Sequence, residues 1–200
     1  MDIRQLSVRY HLEQDRILVR INTSAGEEIQ MWLTRNMTLR LWPLINRVVI
    51  DHFAIPADAV TDGFVDLNAM DARSREMLAD LRRQEVVERA DFSTPYRVDN
   101  SHRPLGDTPL LVTEVNLTPK PDGNLQLNFK ELLQEPPSSR GFQLDMGTDL
   151  VFSVIQLLHH AIEQSRWQIE SPSAASGSAA QEAADEIDLS PHAERPTYLN

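Results

Sequence analysis

Residues 28–50, EIQMWLTRNMTLRLWPLINRVVI, lie on residues 141–163, GFQLDMGTDLVFSVIQLLHHAIE, without a gap. Ile29 falls on Phe142, Met31 on Leu144 and Leu33 on Met146. Further along, Met37 falls on Leu150, Leu41 on Val154, Leu44 on Leu157 and Ile45 on Leu158. Almost no residue is identical, so the match is one of pattern. Each stretch begins with apolar residues at every second position, the period of a strand with one buried face. Each then changes to helical spacing. A pattern written twice points to an internal repeat; the plainer alternative is that any two strand–turn–helix segments match this well.

The same alternation extends upstream of both stretches. In the first half Leu6, Val8, Tyr10 and Leu12 recur at every second position, as do Ile17, Val19 and Ile21. Glu13-Gln14-Asp15 and Thr23-Ser24-Ala25-Gly26 separate them with hairpin-sized, turn-rich breaks. A three-stranded antiparallel meander follows, and Thr34 is placed to cap the helix after it. In the second half Leu111, Thr113, Val115 and Leu117 alternate. Pro119 to Gly123 reads as a turn, Leu125, Leu127 and Phe129 alternate next, and a connection over 131–140 leads to Phe142. Thr148 and Asp149 open a helix running to about Trp167. Pro43 breaks the pattern of the first helix, which must kink or restart there. Both helices are apolar over more than one stripe and need cover on more than one side.

The expected architecture is α+β. It has two pseudo-repeated units of three antiparallel strands plus a long apolar helix, the helices packed together, and a charged helical insertion between the halves. The units span 1–54 and 109–168. The insertion, 55–108, carries one surface helix from about 69 to 90, starting near Asp66 or Asn68. Residues 169–200 form a low-complexity acidic tail with too little apolar mass to fold alone, expected to be disordered.

Composition narrows the function classes. The net charge is −11 and the pI about 4.9, which disfavours general affinity for nucleic acid or anionic membrane. There is no cysteine, so disulfides, thiolate metal sites and cysteine nucleophiles are excluded. The N-terminus has no apolar run after a basic start, and no stretch approaches the roughly 20 apolar residues of a membrane span. The expected setting is cytoplasmic, without membrane contact.

Strand parity assigns the outward faces. The first unit presents Arg9, His11, Arg16, Leu18, Arg20, Gln30 and Trp32, a basic face with an aromatic. The second presents Glu114, Asn116, Asn124, Gln126, Asn128, Gln143 and Asp145, amide-rich and mildly acidic. Arg9, Arg16, Arg20 and Trp32 are therefore the candidate binding residues. They suit an acidic protein surface or the acidic tail, a small anion, or single-stranded nucleic acid stacked on the tryptophan. The bland reading is two solvated strand faces with cross-strand charges. His159, His160 and Glu163 have the spacing of two metal ligands on one helix face, but no third ligand or HExxH pattern accompanies them, and a surface hydrogen bond is the simpler reading. No GxSxG, GxGxxG or P-loop pattern occurs, and no general acid–base pair stands out. Tyr198 and Leu199 form an apolar tip on the tail, a candidate docking tip.

The residues Gln14-Asp15-Arg16, Trp32-Leu33-Thr34-Arg35 and Leu41-Trp42-Pro43 resemble a pattern of proteobacterial proteins of unknown function, mainly over the first 50 residues. The resemblance implies no activity, ligand or catalytic residue. At the level of topology the repeated plan is similar to the tandem sheet-and-helix units of Whirly and PUR-type single-strand binders, which have four strands per unit; that likeness alone licenses no function. The expected function is that of a non-catalytic binding or scaffold protein acting through protein–protein contacts. The partner's identity is open, no cofactor or metal is called for, and homo-oligomerisation is compatible. The alternative is a single-stranded nucleic-acid or small-anion binder using the basic face.

Overall fold

Among the described residues, alternating apolar residues build most of seven strands, and helical spacing builds three α-helices. The computed structural model describes residues 2–53, 70–92, 94–97, 102–133 and 138–167. In chain order the elements are β1 (Ile3–His11), β2 (Arg16–Thr23), β3 (Glu28–Thr34), α1 (Arg35–His52), α2 (Ala72–Arg89), β4 (Leu110–Leu111), β5 (Glu114–Pro119), β6 (Leu125–Leu133), β7 (Ser138–Met146) and α3 (Thr148–Ser165). They form a mixed α+β structure with two sheets, ordered β1-β2-β3-β4 and β5-β6-β7.

The turns follow local chemistry. Asp15 adopts the left-handed conformation (φ 48°) after a single 3-10 turn, which closes the β1–β2 hairpin. Gly123 (φ 78°) does the same for β5–β6, where the Asp122 carboxylate accepts from the Asn124 N–H at 3.0 Å. The Thr34 hydroxyl accepts from the Met37 N–H at 3.2 Å and caps α1 as the sequence predicts. α1 runs through Pro43 as one helix rather than restarting there. The Asn46 side chain donates to the Trp42 carbonyl at 2.7 Å beside the proline.

Three differences from the sequence expectation have physical causes. First, the first sheet has four strands. β4 adds in parallel to β3, with Leu110 beside Met31 and Leu111 beside Trp32. The alternating run from Leu111 to Leu117 is thus no single strand. The Val112 N–H donates to the Trp32 carbonyl, and the next residue, Thr113, donates its N–H to the Lys130 carbonyl in the second sheet. Parity flips at this crossing: Leu110 and Val112 are buried before it, while Val115 and Leu117 stand opposite Phe129 and Leu127 after it. Second, β6 and β7 continue to Leu133 and from Ser138, so the connection between them is shorter than 131–140. Third, α2 begins at Ala72. Its cap is Asp71, whose carboxylate accepts from the Ser74 N–H at 2.7 Å.

The two sheets share one core. Val19, Ile21 and Met31 of the first face Leu127, Phe129 and Leu144 of the second, with Leu41 and Leu158 from the helices closing a small apolar space of about 40 Å³. Phe152 and Ile155 of α3 are fully buried. Burying side chains of this size contributes about 1.5–3 kcal/mol each. Each long helix also reaches across the chain: α3, which follows β7, lies along β1, and α1 touches β5. α2 packs against both α1 and α3 through a face that buries Ala79 and Val86. α1 and α3 meet at a ring stack, Trp42 on His159, with centroids 5.4 Å apart. No helix among the described residues is long and apolar enough to cross a membrane.

Two buried carboxylates fix the chain between α2 and β5. Glu28 accepts from Arg103 Nε at 3.0 Å, and the backbone of His102 pairs with Gly26 and Glu28. Glu131 accepts from Arg140 Nε at 2.8 Å, and Arg140 also donates to the Leu105 carbonyl at 3.0 Å. The stretch that reads as an irregular excursion is thereby tied to both sheets.

Candidate basic face of the four-stranded sheet

β2 lies between β1 and β3, so its outward residues are flanked on both sides. Arg16, Leu18 and Arg20 alternate along it. Arg9 on β1 and Trp32 on β3 stand opposite Leu18; His11 stands opposite Arg16; Ser7 and Gln30 stand opposite Arg20. The structure thus brings all four sheet residues predicted from sequence into one cross centred on Leu18, with directly opposed residues about 5 Å apart. Leu18 is only 5% exposed. Trp32 meets His11 edge to face, with centroids 5.2 Å apart and planes at 87°.

The arginines of this face, Arg9, Arg16 and Arg20, are not ion-paired among the described residues, and the Nε of Arg20 is buried there without a hydrogen-bond partner. The outward face of the second sheet behaves differently. Glu114 pairs with Lys130 at 3.1 Å, and Lys120 pairs with Asp145. The Asn116 amide and then Lys130 hold the Glu114 carboxyl below its ordinary value; Lys120 does the same for Asp145. Among the described residues, one face pairs its own charges and the arginines of the other form no ion pair.

Beyond Arg20 the face ends in a buried polar cluster that sequence reasoning missed. Glu28 is 2% exposed and accepts from the Tyr96 hydroxyl at 3.2 Å as well as from Arg103. Tyr96 also donates toward Asn22 Oδ1 at 2.8 Å, and the Asn22 amide donates to the Arg97 carbonyl at 3.0 Å. Burial, followed by the Glu28 charge, pushes the Tyr96 phenol well above its ordinary value, while Arg20 and Arg103 pull it partly back. Tyr96 is therefore a neutral donor here. Strand parity places Glu28 on this face, but nothing in the sequence signals a partner 68 positions away.

Other candidates fall elsewhere. His159 and His160 each face Glu163 at 3.9 and 3.8 Å, and among the described residues no three His, Asp or Glu side chains converge as a metal site. A cleft of about 380 Å³ opens between the start of β1, the chain leaving α2 and one side of α3. Asp15, a turn residue in the sequence reading, accepts from the Trp167 indole at 2.7 Å and from the Tyr10 hydroxyl at 2.9 Å. These bonds, the indole's first, hold its carboxyl below the ordinary value. Tyr198 and Leu199 lie outside the described residues. Compared with known proteins, the chain matches no family model, no curated protein and no solved structure.

Proposed function

We propose that the protein is a non-catalytic binding protein whose basic face, Arg9, Arg16, Arg20 and Trp32, holds an acidic segment of a partner protein. The carrying observation is the asymmetry of the two faces: Glu114–Lys130 and Lys120–Asp145 pair across one, while among the described residues Arg9, Arg16 and Arg20 of the other form no ion pair. Cations without an ion pair among the described residues, on a chain of net charge −11, are a local exception that favours an acidic partner.

A repeat underlies this reading. Placing residue 28 on 141 is an offset of 113, and α1 at 35–52 then falls on α3 at 148–165 at both ends. That coincidence supports two βββα units whose cores were kept and whose exposed faces diverged. The function belongs to the divergence.

The test is titration of the whole chain with an oligoglutamate peptide and with oligodeoxythymidine, followed by fluorescence at two salt concentrations. The reading expects salt-sensitive binding of the peptide and not of the oligonucleotide. Tight, salt-dependent retention of the oligonucleotide instead moves the assignment to single-stranded nucleic acid.

A further inference from the structure

Arg20 combines three properties. Among the described residues its Nε is buried without a hydrogen-bond partner, as are those of Arg75, Arg82 and Arg83, but unlike them Arg20 forms no ion pair. The Glu28 carboxylate has other partners: Oε2 accepts from Arg103 at 3.0 Å, and Oε1 lies 3.2 Å from the Tyr96 hydroxyl, which it shares with Asn22. Two short polar side chains that can donate, Ser7 on β1 and Gln30 on β3, flank it in register on the same face. A guanidinium offers five N–H donors and no acceptor. A buried donor left unmade is unfavourable by about 1–3 kcal/mol; the residue as a whole is only part-buried, so the rest of its guanidinium is open to an acceptor brought by a ligand. The arrangement of a planar fork between a hydroxyl and an amide fits one compact oxyanion.

We propose that Arg20, with Ser7 and Gln30 beside it, is the seat for a single oxyanion, namely a carboxylate of the acidic partner segment. The inference rests on the basic-face reading and deepens it: Arg9 and Arg16 supply field at the surface, and Arg20 receives one group. Carboxylate and phosphate share the chemistry of this seat, so the test must separate them.

The experiment follows the arginine Nε–H resonances of the ¹⁵N-labelled full chain during titration with sodium acetate and, separately, sodium phosphate at constant ionic strength. The Arg20 resonance is identified by its loss in Arg20→Lys, with a thermal melt to show that this variant is folded. Saturable movement of that resonance with acetate, weakened about threefold to tenfold by Ser7→Ala, is the expected result. Saturation by phosphate alone overturns the carboxylate assignment. An Arg20 resonance that only drifts with the exposed Arg166 overturns the seat itself, as does an acetate affinity untouched by Ser7→Ala. Oligoglutamate binding with Arg20 silent removes the seat and spares the basic-face reading. Acetate saturation in a chain that ignores oligoglutamate does the reverse.

Discussion

Removing either half of the Glu28–Arg103 pair should destabilise the fold unequally, and the order is set by exposure. The Glu28 side chain is 1% exposed and that of Arg103 is 33% exposed. In Arg103→Ala, the carboxylate keeps only the Tyr96 hydroxyl at 3.2 Å and stays in a site it cannot leave. An uncompensated buried charge of this kind is destabilising by about 3–5 kcal/mol. In Glu28→Gln the buried charge is gone, Arg103 can turn to water, and Tyr96 retains Asn22 as its acceptor at 2.8 Å. Loss of one charge-assisted bond then costs about 1.5–3 kcal/mol, partly offset because a neutral amide is easier to bury. Urea denaturation followed by circular dichroism measures both, and the double variant gives the coupling. The expected order is Arg103→Ala well below Glu28→Gln, with the double variant less destabilised than the sum. Equal losses, or a larger loss for Glu28→Gln, would refute the idea that burial of the carboxylate sets the balance.

Two further outcomes follow from single contacts. Gly141→Ala would place its Cβ 2.5 Å from the Phe129 carbonyl oxygen, so strand β7 must shift; thermal unfolding should show a loss of about 2 kcal/mol or more, and a neutral result would mean β6 and β7 are not paired as described. Asp15 has a folded-state pKa below its unfolded value, so its contribution is present above the ordinary carboxylate range and fades as pH falls through the lowered folded value. Tryptophan fluorescence during acid titration should report release of Trp167 in that acidic window, and Asp15→Asn, which does not titrate, should flatten that step.

Much of the fold is legible in the sequence because it rests on period and punctuation. Ile17, Val19 and Ile21 announce their buried face by spacing alone, and Thr34 announces a helix start by preceding an apolar run. Arg9, Arg16, Arg20 and Trp32 share a face by parity, and the strand register needed only the turns to fix it. What the sequence hides is non-local. Nothing near Leu110 says that it will lie parallel to Met31, since parallel pairing has no hairpin signature. Apolar residues on α3 show that a face is buried, not that it meets β1. Leu18 is outward by parity yet almost fully covered, because burial depends on neighbours that come from other strands. Asp71 caps α2 where Asp66 and Asn68 are equally suitable types, and only the geometry chooses among them.

The most direct test of the central claim is the affinity of the chain for oligoglutamate after Arg9→Glu together with Arg16→Glu, compared with Lys120→Glu together with Lys130→Glu on the other sheet. Both double variants change the net charge by the same amount, so general repulsion is matched. The account predicts that the first pair abolishes salt-sensitive binding and that the second weakens it only slightly. Equal losses from the two pairs, or undiminished binding in the first, would contradict a basic face that selects an acidic partner.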